Sequence, residues 1–246
     1  MTINRPELKM RARELIKSPD SKVFNVCAIF VALSALMNVL SAGVMGANIT
    51  EADAEQILEH LKNGNIEYAA SYCRDFLPPV SSYFIDTAIQ IVMTVVSAGL
   101  LIFLLNTVRK TSPCAGNLLD GFGMFFKLVW LSILESVFIA LWSILLIVPG
   151  IVAAYSYRMA VYIMIDNPDK TAMECIRESK SMMDGYKLQL FVLDLSFILW
   201  ALFSSVAVIG MAVQLFSVPL LNMTYTLFYE TLRTDGQPSL QINYTE

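Results

Sequence analysis

Apolar residues run along this chain in long blocks, and short polar stretches between them gather most of the charge. Val23 to Gly46 carries no charged residue, and at about 1.5 Å per helical residue it crosses a hydrocarbon core of roughly 30 Å. Val80 to Thr107 predicts a second span, with Asp86 and Gln90 one turn apart near its start and Arg109 and Lys110 just past its end. Met124 to Val148 and Ile151 to Ile165 read as the arms of a hairpin broken at Pro149-Gly150, since proline lacks the N–H a helix interior needs and glycine gains nothing from helical confinement. Leu188 to Ile209 and Met211 to Leu232 read as another hairpin turning near Gly210, because that apolar run is too long for one helix. The pattern predicts an all-α polytopic membrane bundle of about six transmembrane helices, forming one membrane domain over 1–246.

The polar stretches have patterns of their own. Residues 1–22 form a basic amphipathic segment with Leu8, Ala12, Leu15 and Ile16 at helical spacing, expected to lie on the membrane surface and to stop near Ser18-Pro19. Residues 47–79 form an acidic loop in which Thr50 and Asp53 resemble a helix start, Ala54, Ile57, Leu58 and Leu61 share one face, Asn63-Gly64 ends that helix and Ile66 to Leu77 allows another. Residues 167–186 read as a helix joining the two hairpins, with Asn167 as its cap, Pro168 in its first turn and Gly185 at its terminating position. That helix either packs beneath its own bundle or docks a partner, an ATPase or a second membrane protein, through Lys170 to Gly185.

Charge sets the expected orientation, because lysine and arginine accumulate on the cytoplasmic side. Arg5, Lys9, Arg11, Arg13, Lys17 and Lys22 precede the first span, Arg109, Lys110 and Lys127 surround the start of the third, and Lys170, Arg177, Lys180 and Lys187 lie in the connecting helix. The 47–79 loop has only Lys62 and Arg74. Both termini are therefore expected in the cytoplasm and the acidic loop outside, with the first apolar run retained as a span and not cleaved as a signal peptide. A hydrophobic content of 56% against 15% charged residues exceeds what a soluble domain carries, and a net charge of -4 without a basic stripe argues against nucleic-acid partners.

Few residues offer chemistry. Arg158 falls well inside a span, as does Glu135 on the other arm of its hairpin, and an ionisable group in hydrocarbon costs several kcal/mol unless paired or hydrated. The two are expected to meet as a buried pair at mid-depth, with Asp194, Tyr155 and Tyr157 close by, either locking the bundle or lining a polar cavity for a lipid headgroup, peptide or proton. Cys27, Cys73, Cys114 and Cys175 lie in four different segments and His60 stands alone, so neither a metal nor a cofactor is expected. No nucleophile elbow, HExxH or phosphate-cradling loop is present, which argues against an enzyme with catalytic residues. A weak internal similarity at an offset of 64 residues aligns Gly121 with Gly185 and Asp166 with Glu230.

The order of these features, RPELKMRARELI, then VPGIVAAYSYRMAVYIMIDNP, ESKSMMDGYK, LFVLDLSFILWAL and VPLLNMTYTLFYETL, resembles the bacterial integral membrane family called domain of unknown function 975. The matching positions are Pro149, Gly150, Arg158, Asn167, Pro168, Ser179, Gly185 and Lys187. More distantly the chain looks like the membrane domain attached to some glycerophosphodiester phosphodiesterases, where hydrolysis belongs to a separate soluble domain, so that resemblance also implies no enzymatic activity here. The expectation is a multi-pass protein of the bacterial inner or plasma membrane, in contact with membrane lipids and acting as a transport-associated or lipid-handling component. The alternative is an interaction protein for peptide immunity or envelope stress, binding through the acidic loop.

Overall fold

The computed structural model describes residues 4–18, 22–46, 51–67, 78–198 and 207–236, and among them the regular structure is helical throughout. Among the described residues four helical stretches are long and apolar enough to cross a membrane: Val23–Met45, Val80–Val108, Asn117–Leu145 and Ile147–Asp166. The described chain is thus an apolar, helical membrane protein. The fifth and sixth expected spans do not turn near Gly210: a single helix, Ala207–Gly236, runs through that glycine, whose place among apolar neighbours lets the helical ladder continue, and residues 199–206 before it lie outside the described residues.

The chain divides into two compact units, Leu33–Met93 and the remainder. In the smaller unit, α3 (Glu51–Lys62) ends where Asn63-Gly64 was expected to end it, with Gly64 at φ 75°. The hydroxyl of Ser41, from α2 (Val23–Met45), donates to Asp86 of α4 (Val80–Val108), which gives that span's carboxylate a partner. The expected helix over Ile66 to Leu77 falls largely outside the described residues.

The larger unit is built around the C-terminal helix. The remaining helices are α1 (Arg5–Lys17), a single turn α5 (Asn117–Asp120), α6 (Phe125–Leu145), α7 (Ile147–Tyr157), α8 (Ala160–Asp166), α9 (Ala172–Met182), α10 (Lys187–Leu195) and α11 (Ala207–Gly236). Residues Met223 to Glu230 of α11 are buried on every side, which is the signature of a central helix. Thr224 and Thr226 stay compatible with that burial because each hydroxyl donates back to a carbonyl one turn earlier.

Against this centre α1 docks with Leu8 and Ala12 inward, and Lys9 donates to the Ser196 hydroxyl while lying 4.6 Å over the Phe197 ring. The basic segment expected on the membrane surface therefore packs its apolar face on protein. Its hydrophobic stripe is short, and α11 offers it a close-packed partner that a lipid interface does not.

The α6–α7 hairpin turns three residues earlier than the Pro149-Gly150 break the sequence implied. Leu146 takes an extended conformation (φ -160°, ψ 143°), and Pro149-Gly150 falls inside the first turn of α7. Proline is tolerated there because a first-turn N–H has no helical acceptor in any case. Gly150 serves the crossing: a Cβ at that position would stand 2.9 Å from Ser143 Cα on the facing arm. Two further glycines permit similar approaches, since a Cβ on Gly99 would fall on the Leu118 carbonyl and one on Gly121 on the Val95 carbonyl.

The connecting helix is shorter than expected. Asn167 is not its cap and Pro168 is not in its first turn; α9 starts after Thr171, whose hydroxyl accepts from the Glu174 N–H while Glu174 accepts from the Thr171 N–H. This capping box satisfies two orphan donors at once, and a single Asn167 cap followed by Pro168 offers one. Gly185 stands just past the helix at φ 80°, a left-handed conformation that favours glycine. Ala172, Cys175, Ile176 and Ser179 face inward, where α9 packs on α6, α7 and α8.

Candidate functional site

Two features place polar side chains within the apolar helices. The first is the interruption between α7 and α8 at Arg158 and Met159, where the regular ladder lapses. Ser179 of α9, itself fully buried, repairs it by accepting from the Met159 N–H (3.1 Å) and donating to the Ser156 carbonyl (2.8 Å). A backbone break in a lipid-embedded helix requires such substitutes. With the break held open, Arg158 leaves the helix axis beside the ring of Tyr225, 4.7 Å from its centroid, as a cation–π pair.

The second feature is the depth at which Glu135 and Arg158 lie. Glu135 stands ten residues before the end of α6 and Arg158 eleven after the start of α7, so both sit about 15 Å from the turn. They line one cavity of about 340 Å³ together with Tyr157, Tyr162, Asn222 and Tyr225.

The expected close pair does not form, however. The charged atoms are farther apart than a 4.0 Å ion pair, Glu135 Oε1 is buried and accepts no hydrogen bond, and the Arg158 guanidinium makes none. The helices that carry them face each other through Phe138 and Tyr157, whose ring centroids are 6.2 Å apart, and that aromatic pair keeps the two charges apart.

Asp194 sits on the far side of Tyr225. It accepts from the Tyr225 hydroxyl (2.5 Å) and from Tyr155 (2.9 Å), so of the expected group Arg158, Glu135 and Tyr157 share the cavity, while Asp194 and Tyr155 reach it through Tyr225. Tyr225 joins both halves of the site and was not singled out in the sequence; its only signal was position in the last apolar block.

Sequence reasoning also missed an ion network at the helix ends. Arg109, immediately after α4, makes two 2.7 Å bonds to Asp166 at the end of α8 and a 2.7 Å bond to Glu230 of α11. Tyr229 donates to Asp166 (2.8 Å), and its ring stacks on Tyr162 at 4.9 Å, which links this network to the cavity wall. Burial alone would lower the Arg109 pKa, but the Asp166 hydrogen bond and the two carboxylates hold it above the ordinary arginine range. Asp166 and Glu230 are the positions paired by the offset of 64 residues, and they meet on Arg109, with Arg233 at 3.7 Å from Asp166 and 3.5 Å from Glu230 as a second shared cation. The aligned glycines do not correspond, since Gly121 is helical (φ -55°) and Gly185 left-handed. Among the described residues no group of histidines, cysteines and carboxylates is arranged to hold a metal.

The fold and the cavity define a helical membrane protein with a polar pocket between apolar helices. Residues 144–235 match the family described as Protein of unknown function (DUF975), the family the sequence resembles. The match takes in Arg158, Ser179, Asp194 and Tyr225, while Glu135 lies before it. No curated protein and no solved structure matches the chain, so the likeness to the membrane domain of glycerophosphodiester phosphodiesterases has no support.

Proposed function

We propose that this protein is a non-enzymatic, lipid-handling component of a bacterial plasma membrane, and that the cavity between Glu135 and Arg158 receives a polar headgroup. The observation that carries this reading is Glu135 Oε1, buried without a hydrogen-bond donor in the cavity it shares with an Arg158 whose guanidinium rests on the Tyr225 ring and on no carboxylate within ion-pair distance. A buried carboxylate oxygen with no donor is costly in an apolar bundle, and a bound polar group offsets that cost while giving the exposed Arg158 a counter-charge. The surroundings favour a lipid. Large apolar side chains on either side of Glu135 in its helix are open to the exterior, Ile133 at 47% and Val137 at 48%, which suits acyl chains beside the cavity. The excess of lysine and arginine in the segments before the first span and after the α8 span supports cytoplasmic placement of those segments and of both termini.

Mass spectrometry of the protein extracted into nanodiscs tests this function. Wild type is expected to carry a stoichiometric phospholipid, and Arg158→Ala with Glu135→Ala to lose it while keeping a cooperative melting transition. Equal lipid retention by a folded double variant would contradict the proposal.

A further inference from the structure

Resting on that reading, we infer that the cavity selects a headgroup carrying both charges, an anionic phosphate set against Arg158 and a protonated amine set against Glu135, as in an aminophospholipid. The argument is one of exclusion by charge. A headgroup bearing only a phosphate satisfies the arginine but adds a second negative charge to a cavity whose Glu135 Oε1 already lacks a donor. One bearing only an amine satisfies Glu135 and repels Arg158. A neutral polyol leaves both charges without a counter-charge. A zwitterion satisfies the two walls at once, with its charges arranged opposite to those of the protein.

The aromatic framework keeps that arrangement from collapsing. Tyr225 holds the guanidinium over its ring while its hydroxyl is committed to Asp194, and Phe138 against Tyr157 spaces the two helices. The protein therefore does not close the charges on each other, and the intervening space stays open for a ligand. Its volume of about 340 Å³ lies at the small end of ligand pockets, which run to roughly 1,000 Å³, and so suits a headgroup with its acyl chains outside.

The test is native mass spectrometry of the full chain in nanodiscs of equimolar phosphatidylethanolamine and phosphatidylglycerol. Wild type should retain the ethanolamine lipid over the glycerol lipid by about tenfold, the effect of one charge-assisted hydrogen bond. Glu135→Gln should retain phospholipid with that preference gone, and Arg158→Ala should lose both lipids. Soluble phosphoethanolamine should displace the retained lipid; if it binds while neither lipid is retained, the zwitterion assignment holds and the ligand's source is soluble. Preference for the glycerol lipid, or an unchanged ratio in Glu135→Gln, would overturn the zwitterion inference and leave the headgroup reading standing. Retention of neither lipid and no binding of phosphoethanolamine would overturn both.

Discussion

Ser179 donates its hydroxyl to the carbonyl of Ser156 across the one point where the Ile147–Asp166 span loses its helical ladder. The same oxygen accepts from the Met159 N–H, so a single side chain on α9 supplies both polarities of a missing backbone turn. Ser179→Ala leaves a buried donor and a buried acceptor unmatched, and about 1–3 kcal/mol of stability should be lost. A lower melting temperature of the purified protein, accompanied by weaker lipid retention, is the expected result. An unchanged melting curve would mean the break is held by something else.

The glycine contacts give a comparison within one chain. Gly99→Ala and Gly121→Ala each place a methyl on a backbone carbonyl, which cannot swing aside, whereas Gly123→Ala meets nothing within 4 Å. The first two should cost about 1–3 kcal/mol, as overpacked sites do, and the third should be neutral or slightly stabilising. Thermal melts of the three variants decide this, and equal melting temperatures would show that the helices separate freely.

Arg109 holds two carboxylates that burial would otherwise set against each other, Asp166 at 10% exposure and Glu230 at 3%. Arg109→Ala should therefore destabilise, though by less than the roughly 3–5 kcal/mol of a fully stripped buried pair, because Arg233 still reaches both carboxylates. Adding Asp166→Asn and Glu230→Gln to that variant should restore part of the loss, because the repulsion goes with the charges. A triple variant no more stable than the single one would contradict this.

Acid sensitivity should come in part from the start of α9. The Thr171 backbone N–H, and then its hydroxyl, hold the Glu174 pKa below its ordinary value of about 4.5. A carboxylate lowered on folding contributes stability that is complete above its unfolded pKa and lost as pH falls through the folded one. Wild type should melt higher than Glu174→Gln at pH 7, and the gap should close as the pH is taken down below 4.5. A constant gap from neutral to acid would exclude the charge as its cause.

What was legible in the sequence was whatever hydrophobic length and local chemistry determine. The spans at Val23–Met45 and Val80–Val108 lie within a few residues of the apolar blocks, and Arg158 and Glu135 were conspicuous because charge is rare in such blocks. What was not legible depends on partners far along the chain. Arg109 read as a topological charge, and its bond to Glu230 spans 121 residues. Tyr225 read as one more apolar position until folding set Arg158 on one side of it and Asp194 on the other. Pro149 reads by its usual effect in a helix interior, and the turn three residues earlier at Leu146 makes it a first-turn residue.

The central claim is that a headgroup occupies the space between Glu135 and Arg158, and photocrosslinking tests it most directly. A photoreactive residue at Ile139 lines the cavity, while one at Ile144 on the same helix faces the exterior. A phospholipid adduct should form at both positions in wild type, and Arg158→Ala should abolish the adduct at 139 alone. If the two adducts respond alike to Arg158→Ala, the cavity is ordinary lipid-facing surface and the account fails.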